Sequence, residues 1–326
     1  MPLYPLPSFL AGVVSAETYQ RWILHHGHYL FWLDKKRNFP CALNGSSRLY
    51  RDAIAQAAER AGPCDPYTGD AMRWDLVDRY PHTRQEFDSL TDAMCREFAL
   101  LPVADHIDPR AEKLAFEICS WQINTAKCSS TPEEFVELCK AVLDHCSQVP
   151  GNAPRARMLY RSFKKYNLPD FLRGRISLEK YRRWLRGRGA TLFARDRKKR
   201  RPYAMISNGG SFYSGLIHTA VCQGAAADPF TGRPLAWELI STKDDFSNGP
   251  HDIAFMKKFA QLPTVDHIDP MSKTLAFEIC SFEINKCKAS LDPEEFVAQC
   301  KKIVEYRGTS KTVERTSNVK RVTSNV

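Results

Sequence analysis

Apolar and polar positions follow one another along the chain in patterns that predict short helices and strands, and the same series of patterns occurs twice. Tyr19–Trp22 and Tyr181–Trp184 each follow a serine (Ser15, Ser177) that has a glutamate two residues on (Glu17, Glu179). A serine hydroxyl accepts from an N–H that the first helical turn leaves open, so both stretches predict helix starts. Arg48–Ala61 and Phe212–Cys222 predict a second helix in each series. D-P-Y-T-G (65–69) and D-P-F-T-G (228–232) are turn sequences; proline fixes φ and glycine tolerates the positive φ that a turn requires. The mostly apolar stretches Trp74–Val77 and Trp237–Ile240 predict short strands, their tryptophans in the core. L-P-V-A-D-H-I (101–107) and L-P-T-V-D-H-I (262–268) predict strands entered through proline, with Leu114–Cys119 and Leu275–Cys280 returning. In these return strands Glu117 and Glu278 alternate with apolar neighbours, which predicts that they face solvent. Thr131-Pro-Glu-Glu and Asp292-Pro-Glu-Glu open a last helix, with proline at the first helical position and acids in the first turn. The fold class is α+β.

The internal repeat organises the chain. Residues 99–140 and 260–301 are identical at 26 of 42 positions, and LPSFLAG (6–12) recurs as LPDFLRG (168–174). The period exceeds that of any solenoid, so two tandem similar domains are expected. They span residues 1–146 and 166–307, joined by a linker at 147–165 with a Pro/Gly break, SQVPGNAPRAR. Residues 308–326 are polar, basic and self-repeating, and are expected to be a disordered tail.

Charge separates the two copies. Residues 1–150 hold 15 Lys/Arg and 20 Asp/Glu; residues 151–326 hold 32 and 17. The excess is densest at 155–201, with 18 basic residues against three acidic. A domain this basic points to a polyanion, because neutralising phosphates supplies most non-specific affinity for nucleic acid. DNA is the leading partner, RNA the other candidate, and Arg195, Arg197, Lys198, Lys199, Arg200 and Arg201 are the candidate contacts. No apolar run is long enough to span a membrane and the first residues lack a secretory pattern, so an intracellular, cytoplasmic protein is expected. The eleven cysteines form no C-x-x-C pair and are expected to be reduced, buried thiols. His25, His26 and His28 resemble a metal tract, but the second copy has Gly187, Arg188 and Ala190 there.

Of nine histidines, His106 and His267 recur at equivalent places. Each follows an aspartate (Asp105, Asp266) at the end of a predicted strand; an asparagine follows 18 residues later (Asn124, Asn285) and a lysine three further on (Lys127, Lys288). This order resembles the HNH, or His-Me finger, nuclease family. The resemblance covers residues 64–140 and 227–301. It implies a ββα-metal core in each domain behind the N-terminal helices. It also implies Asp105, Asn124, Asp266 and Asn285 as ligands of one divalent metal per core, Mg²⁺ or Mn²⁺, with His106 and His267 as general bases that activate water. Hard cations favour such oxygen donors, and a histidine near neutral pKa can take the proton. Lys127 and Lys288 would then contact phosphate. The expected activity is a metal-dependent DNA endonuclease or nickase, with the basic second copy the more active.

Two departures from the family are visible. Its central asparagine, about ten residues before the last ligand, is missing from K-L-A-F-E and T-L-A-F-E. The C-x-x-C zinc knuckles are also missing, with Ser120 and Ser281 where one cysteine would fall, so no structural zinc is expected. These departures favour the alternative of a non-catalytic nucleic-acid-binding protein on a degenerate HNH fold. A third reading makes the basic segment a contact for an acidic protein. Asp108 and Asp269 also read as simple turn residues ahead of proline.

Overall fold

The computed structural model describes residues 4–43, 45–79, 86, 90–128, 130–148, 166–207, 209–241 and 253–323. They form an α+β chain of mostly helices with two antiparallel two-stranded sheets. It divides into two compact units: Met1–Tyr80 with Phe98–Leu143 and Glu295–Val326, and Pro81–Glu97 with Asp144–Glu294. Each unit thus takes in a segment from the other repeat. Most of the expected linker at 147–165 lies outside the described residues.

In the first unit, helix α1 (Ala16–Lys36) starts where Ser15 accepts from Thr18 N at 3.1 Å. A short helix α2 (Pro40–Leu43) leads into α3 (Ser47–Arg60). The first two strands, β1 (Pro102–His106) and β2 (Phe116–Ser120), pair with Asp105 opposite Glu117. Helix α5 (Trp121–Lys127) follows directly, and α6 (Pro132–Gln148) carries the last part of the repeat. The second unit includes α4 (Asp92–Glu97), then α7 (Leu178–Lys198), α8 (Pro202–Ile206), α9 (Gly210–Cys222) and α10 (Ile253–Lys258). Strands β3 (Pro263–His267) and β4 (Phe277–Ser281) pair with Asp266 opposite Glu278, and α11 (Phe282–Lys288) follows.

Equivalent residues build the two cores. Trp22 meets Trp74 edge-on at 5.4 Å between centroids, and Trp184 meets Trp237 at 5.3 Å. One glycine per unit lets the first two long helices approach. A Cβ on Gly27 would lie 2.2 Å from Arg51 Cγ, and one on Gly189 would lie 2.6 Å from Gly210 O. Both distances are far inside van der Waals contact, so any larger residue would push the helices apart. The turn aspartates lock each hairpin to the domain. Asp65 Oδ1 accepts from Tyr67 N (2.8 Å) while its Oδ2 accepts from Ser120 N (2.6 Å). Asp228 does the same with Phe230 N (3.0 Å) and Ser281 N (2.7 Å). Ser120 and Ser281 cap α5 and α11 through Ile123 N and Ile284 N.

Three expectations change. Trp74–Arg79 and Trp237–Ser241 are 3-10 helices rather than strands. The link to the segment before each hairpin is one bond, Arg73 N to Leu100 O or Ala236 N to Gln261 O, and the chain then turns back on itself, Leu76 N to Arg73 O. Glu117 and Glu278 do not face water: Glu278 is buried and Glu117 half-buried, accepting from the Tyr67 hydroxyl. Period-two alternation predicts exposure only when one sheet face is solvated, and here both faces of each hairpin are covered. Helix α12 (Pro293–Thr323) continues through the segment read as a tail from Gly308. No proline interrupts it after Pro293. Within the first unit its Tyr306 packs against Gly69, Arg307 lies over the Tyr67 ring at 5.0 Å, and Gln299 accepts from Gln122.

Candidate functional site

Each hairpin ends on the recurring Asp–His step, and in both copies the aspartate and the histidine point to different partners. The aspartate meets a lysine: Lys127 Nζ is 2.8 Å from Asp105 Oδ2, and Lys288 Nζ is 2.9 Å from Asp266 Oδ2. The same ammonium groups donate to the carbonyl of the next residue, His106 O at 2.7 Å and His267 O at 2.9 Å. Lys127 and Lys288 are among the most deeply buried side chains of their units. A lysine buried without a counter-charge would be very unfavourable, so each pair stands or falls together.

The histidine reaches back to the end of the first long helix. His106 Nε2 lies 2.8 Å from Asp34 Oδ2, and His267 Nε2 lies 2.8 Å from Asp196 Oδ2. A tyrosine holds the same carboxylate in each copy: Tyr50 OH to Asp34 Oδ2 at 2.8 Å, and Tyr213 OH to Asp196 Oδ2 at 3.0 Å. Both histidines and both aspartates are buried. Around this shared Asp–His–Tyr frame the copies differ. In the first, Cys41 Sγ is 3.4 Å from Tyr50 OH, and Phe39 packs its ring 6.0 Å from that of His106. In the second, the residues at the corresponding places are Tyr203 and Arg201. Tyr203 stacks on His267 at 5.9 Å, while Arg201 bridges Asp196 Oδ1 (2.8 Å) and Asp92 Oδ2 (2.7 Å) and lies 3.0 Å from His267 Nε2.

This difference sets the protonation of the two rings. Burial works against the imidazolium of His106, but its close contacts with Asp34 and Cys41 and the charges of Asp34 and Asp105 outweigh it and hold the group at about 9. Burial lowers His267 and the charges of Arg201 and Arg195 lower it further, Asp196 opposing them. Burial also works against the Asp92 carboxylate, but Arg201 and Lys199 hold it down at about 2.

The residues expected from sequence are placed as follows. His106 and His267 do recur in equivalent settings, but they sit inside the fold. Asp105 and Asp266, expected as metal ligands, are engaged by lysine. Asn285 Nδ2 donates to Thr264 Oγ1 at 3.0 Å and to Val265 O, tying α11 to β3; Asn124 is half-buried in α5 at the corresponding turn. Lys127 and Lys288 are buried ion-pair partners and not surface contacts for phosphate. Arg195, Arg197, Lys198 and Arg200 are exposed, whereas Lys199 donates to Asp92 and Arg201 is buried between two carboxylates. Asp108 and Asp269 make turns, accepting from Arg110 N and Met271 N. His25, His26 and His28 point apart: His26 is buried and close to Trp22 O, and the other two are exposed.

The donor set expected for a divalent ion therefore does not fit one. The place beside the Asp105 or Asp266 carboxylate already holds a positive charge, the lysine ammonium. Sequence reading missed Asp34, Cys41, Tyr50 and their counterparts. A signal for four of these six was present: Asp34/Asp196 and Tyr50/Tyr213 are identical between the copies in stretches where most neighbours differ. Of the eleven free cysteines, six are buried, Cys41 among them.

No protein-family model, curated protein or solved structure matches the chain. Among the described residues no helix is long and apolar enough to cross a membrane.

Proposed function

We propose that the chain binds nucleic acid, DNA foremost, through the basic side of its second unit, and that its two hairpin-helix modules are degenerate HNH-like scaffolds that do not hydrolyse the bound strand. The observation that carries this reading is the buried lysine. In both copies an ammonium neutralises the carboxylate on which a divalent ion would depend. Removing one partner of such a pair leaves a buried charge uncompensated, so the exchange of lysine for metal is opposed by the fold itself.

The binding side rests on α7. Lys180, Arg183, Arg186, Arg195, Arg197 and Lys198 are exposed along it; Arg183 shares its charge with Glu179 at 2.7 Å, and Arg195 lies 3.9 Å from Asp196 Oδ1. Each phosphate such a surface neutralises releases condensed counterion, which gives a steep fall of affinity with salt. Contacts to phosphate position a protein without carrying sequence information, so affinity without strong sequence preference is the expected mode.

A second reading, a metal-dependent endonuclease or nickase using Mg²⁺ or Mn²⁺, is favoured by one observation, the 2.8 Å Asp–His pair in each copy. A carboxylate behind an imidazole orients a general base. In that reading His267, in the basic unit, is the principal base and His106 the lesser.

Supercoiled plasmid distinguishes the two. The purified chain is expected to retard DNA on a gel at low salt, with the shift lost as salt rises, and to leave the plasmid supercoiled with Mg²⁺, Mn²⁺ or EDTA alike. Metal-dependent nicking that disappears in His267→Ala would replace the binding reading with the nuclease. Failure to bind DNA or RNA at low salt would remove both and leave an acidic protein as the partner.

A further inference from the structure

We infer that the first unit holds a zinc-class divalent cation on Asp34, Cys41 and His106, at a site the second unit fills with an arginine. A carboxylate oxygen of Asp34, the Cys41 sulfur and a ring nitrogen of His106 lie within 4.8 Å of one another, and all three side chains are buried. They come from three separate elements: the last turn of α1, the short helix α2 and the end of β1. Carboxylate, thiolate and imidazole together are the donor set of a borderline-soft ion such as Zn²⁺, and the thiolate argues against Mg²⁺ or Ca²⁺.

Two further observations point to a cation there. His106 Nε2 is buried and has no aligned hydrogen-bond partner among the described residues. Asp34 Oδ2 is 2.8 Å away but is not aligned with the ring nitrogen as a hydrogen-bond partner, whereas the equivalent His267 Nε2 and Asp196 Oδ2 are hydrogen-bonded at 2.8 Å. The second copy supplies the other observation. There the guanidinium of Arg201 lies 2.8 Å from Asp196 Oδ1 and 3.0 Å from His267 Nε2, a positive charge between the same carboxylate and the same imidazole. In the first copy the residue at that place is Phe39, which brings no charge, and Tyr203 is replaced by Cys41, which brings a ligand. The two replacements fit together: where the built-in cation is lost, a thiolate is gained. Tyr50, 2.8 Å from Asp34 Oδ2 and 3.4 Å from Cys41 Sγ, orients both donors from behind, as groups outside the ligand set commonly do. Burial on all sides makes the ion a clamp between the helical layer and the hairpin. This site is independent of whether the protein binds or cuts nucleic acid.

The test uses the full-length chain, stripped with a chelator and titrated with Zn²⁺ and with Co²⁺ as a spectroscopic probe. One bound ion per chain is expected, with the near-ultraviolet charge-transfer band of a cobalt thiolate and a higher melting temperature than the stripped chain. Cys41→Ser is expected to abolish the band, and Cys64→Ser, an exposed cysteine, to leave it intact. The double variant Phe39→Arg/Cys41→Tyr writes the second copy's residues into the first, so it supplies the missing cation while removing the ligand. It is expected to fold without binding metal, by circular dichroism and metal analysis. A wild-type chain that folds but takes up neither ion overturns the inference. So does a cobalt-thiolate band that survives in Cys41→Ser or in the double variant.

Discussion

In the first unit Asp34 faces His106 at 2.8 Å with a thiol and a phenyl ring beside them; in the second Asp196 faces His267 at the same distance with a phenol and a guanidinium in those places. One frame has therefore been completed in two ways. The lysine-carboxylate pair behind each histidine did not diverge, and neither did the tyrosine that holds each helix-end aspartate. What changed is the group that balances the charge of the Asp–His pair. A buried carboxylate needs hydrogen-bond donors or a positive partner, and beside the histidine the identity of that partner is open: imidazolium, guanidinium or metal each meets the need. The comparison separates what the fold demands in both copies from what each copy settled independently.

The largest effect that sharpens this contrast should come from the guanidinium. Arg201→Leu leaves Asp196 and Asp92 facing one another's surroundings without their bridge, and loss of one partner of a buried ion pair costs about 3–5 kcal/mol. Phe39→Leu, at the corresponding place in the first unit, removes part of a buried ring but no charge and should cost about 1 kcal/mol, the scale of a small core truncation. Hydrogen exchange at the amides of β3 and β4 against those of β1 and β2 reads each unit separately. Equal losses in the two units would mean that Arg201 is a packing residue and the charge argument is wrong.

The lysines test what the copies share. Lys127→Met and Lys288→Met each strand a single carboxylate, so each should destabilise its own unit by about 3 kcal/mol, near the low end of the range for a broken buried pair. Adding Asp105→Asn or Asp266→Asn should recover most of the loss, because an amide carries no charge to bury. Were these lysines phosphate contacts, stability would hardly move and DNA affinity would fall instead.

Sequence made much of the scaffold legible and little of the site. The serine caps, the turn aspartates, the Pro-entered hairpins and the closing helices are local signals, and the repeat displayed each of them twice. The strands expected at Trp74 and Trp237 failed because a four-residue stretch with three apolar positions cannot distinguish a strand from a turn of 3-10 helix when no partner strand is known. The same reasoning explains Glu117 and Glu278: whether a hairpin's second face is covered depends on elements distant in sequence. His106 and His267 were correctly singled out as the recurring pair, but their neighbours were sought downstream, in the Asn-x-x-Lys segment. The partners lie some 70 residues upstream, at the end of the first long helix, where only identity between the copies marks them. The basic run 195–201 likewise reads as one surface, yet α7 ends at Lys198 and the chain turns at Arg200, which half-buries Lys199 and buries Arg201, both against Asp92.

The smallest effect is also the one whose sign differs between copies. His267 is held below the usual histidine value of about 6.5. The unfolded chain therefore takes up its proton first, and the second unit should lose stability as pH falls through about 6.5. His106, in the metal-free chain, is held at about 9. Its contribution is fully present below about 6.5 and is lost as pH rises through about 9. Hydrogen-exchange protection followed in each hairpin between these limits should therefore fall toward acid in β3–β4 and toward alkali in β1–β2. His267→Gln should flatten the acid slope of the second unit and leave the first unchanged. Replacing Arg201 by Phe should raise His267 by removing a nearby positive charge and move the second unit toward the behaviour of the first. Parallel pH profiles in the two hairpins would mean that the charge around the histidines is set by the shared frame, and that the exchange of Phe39 and Cys41 for Arg201 and Tyr203 has no electrostatic consequence.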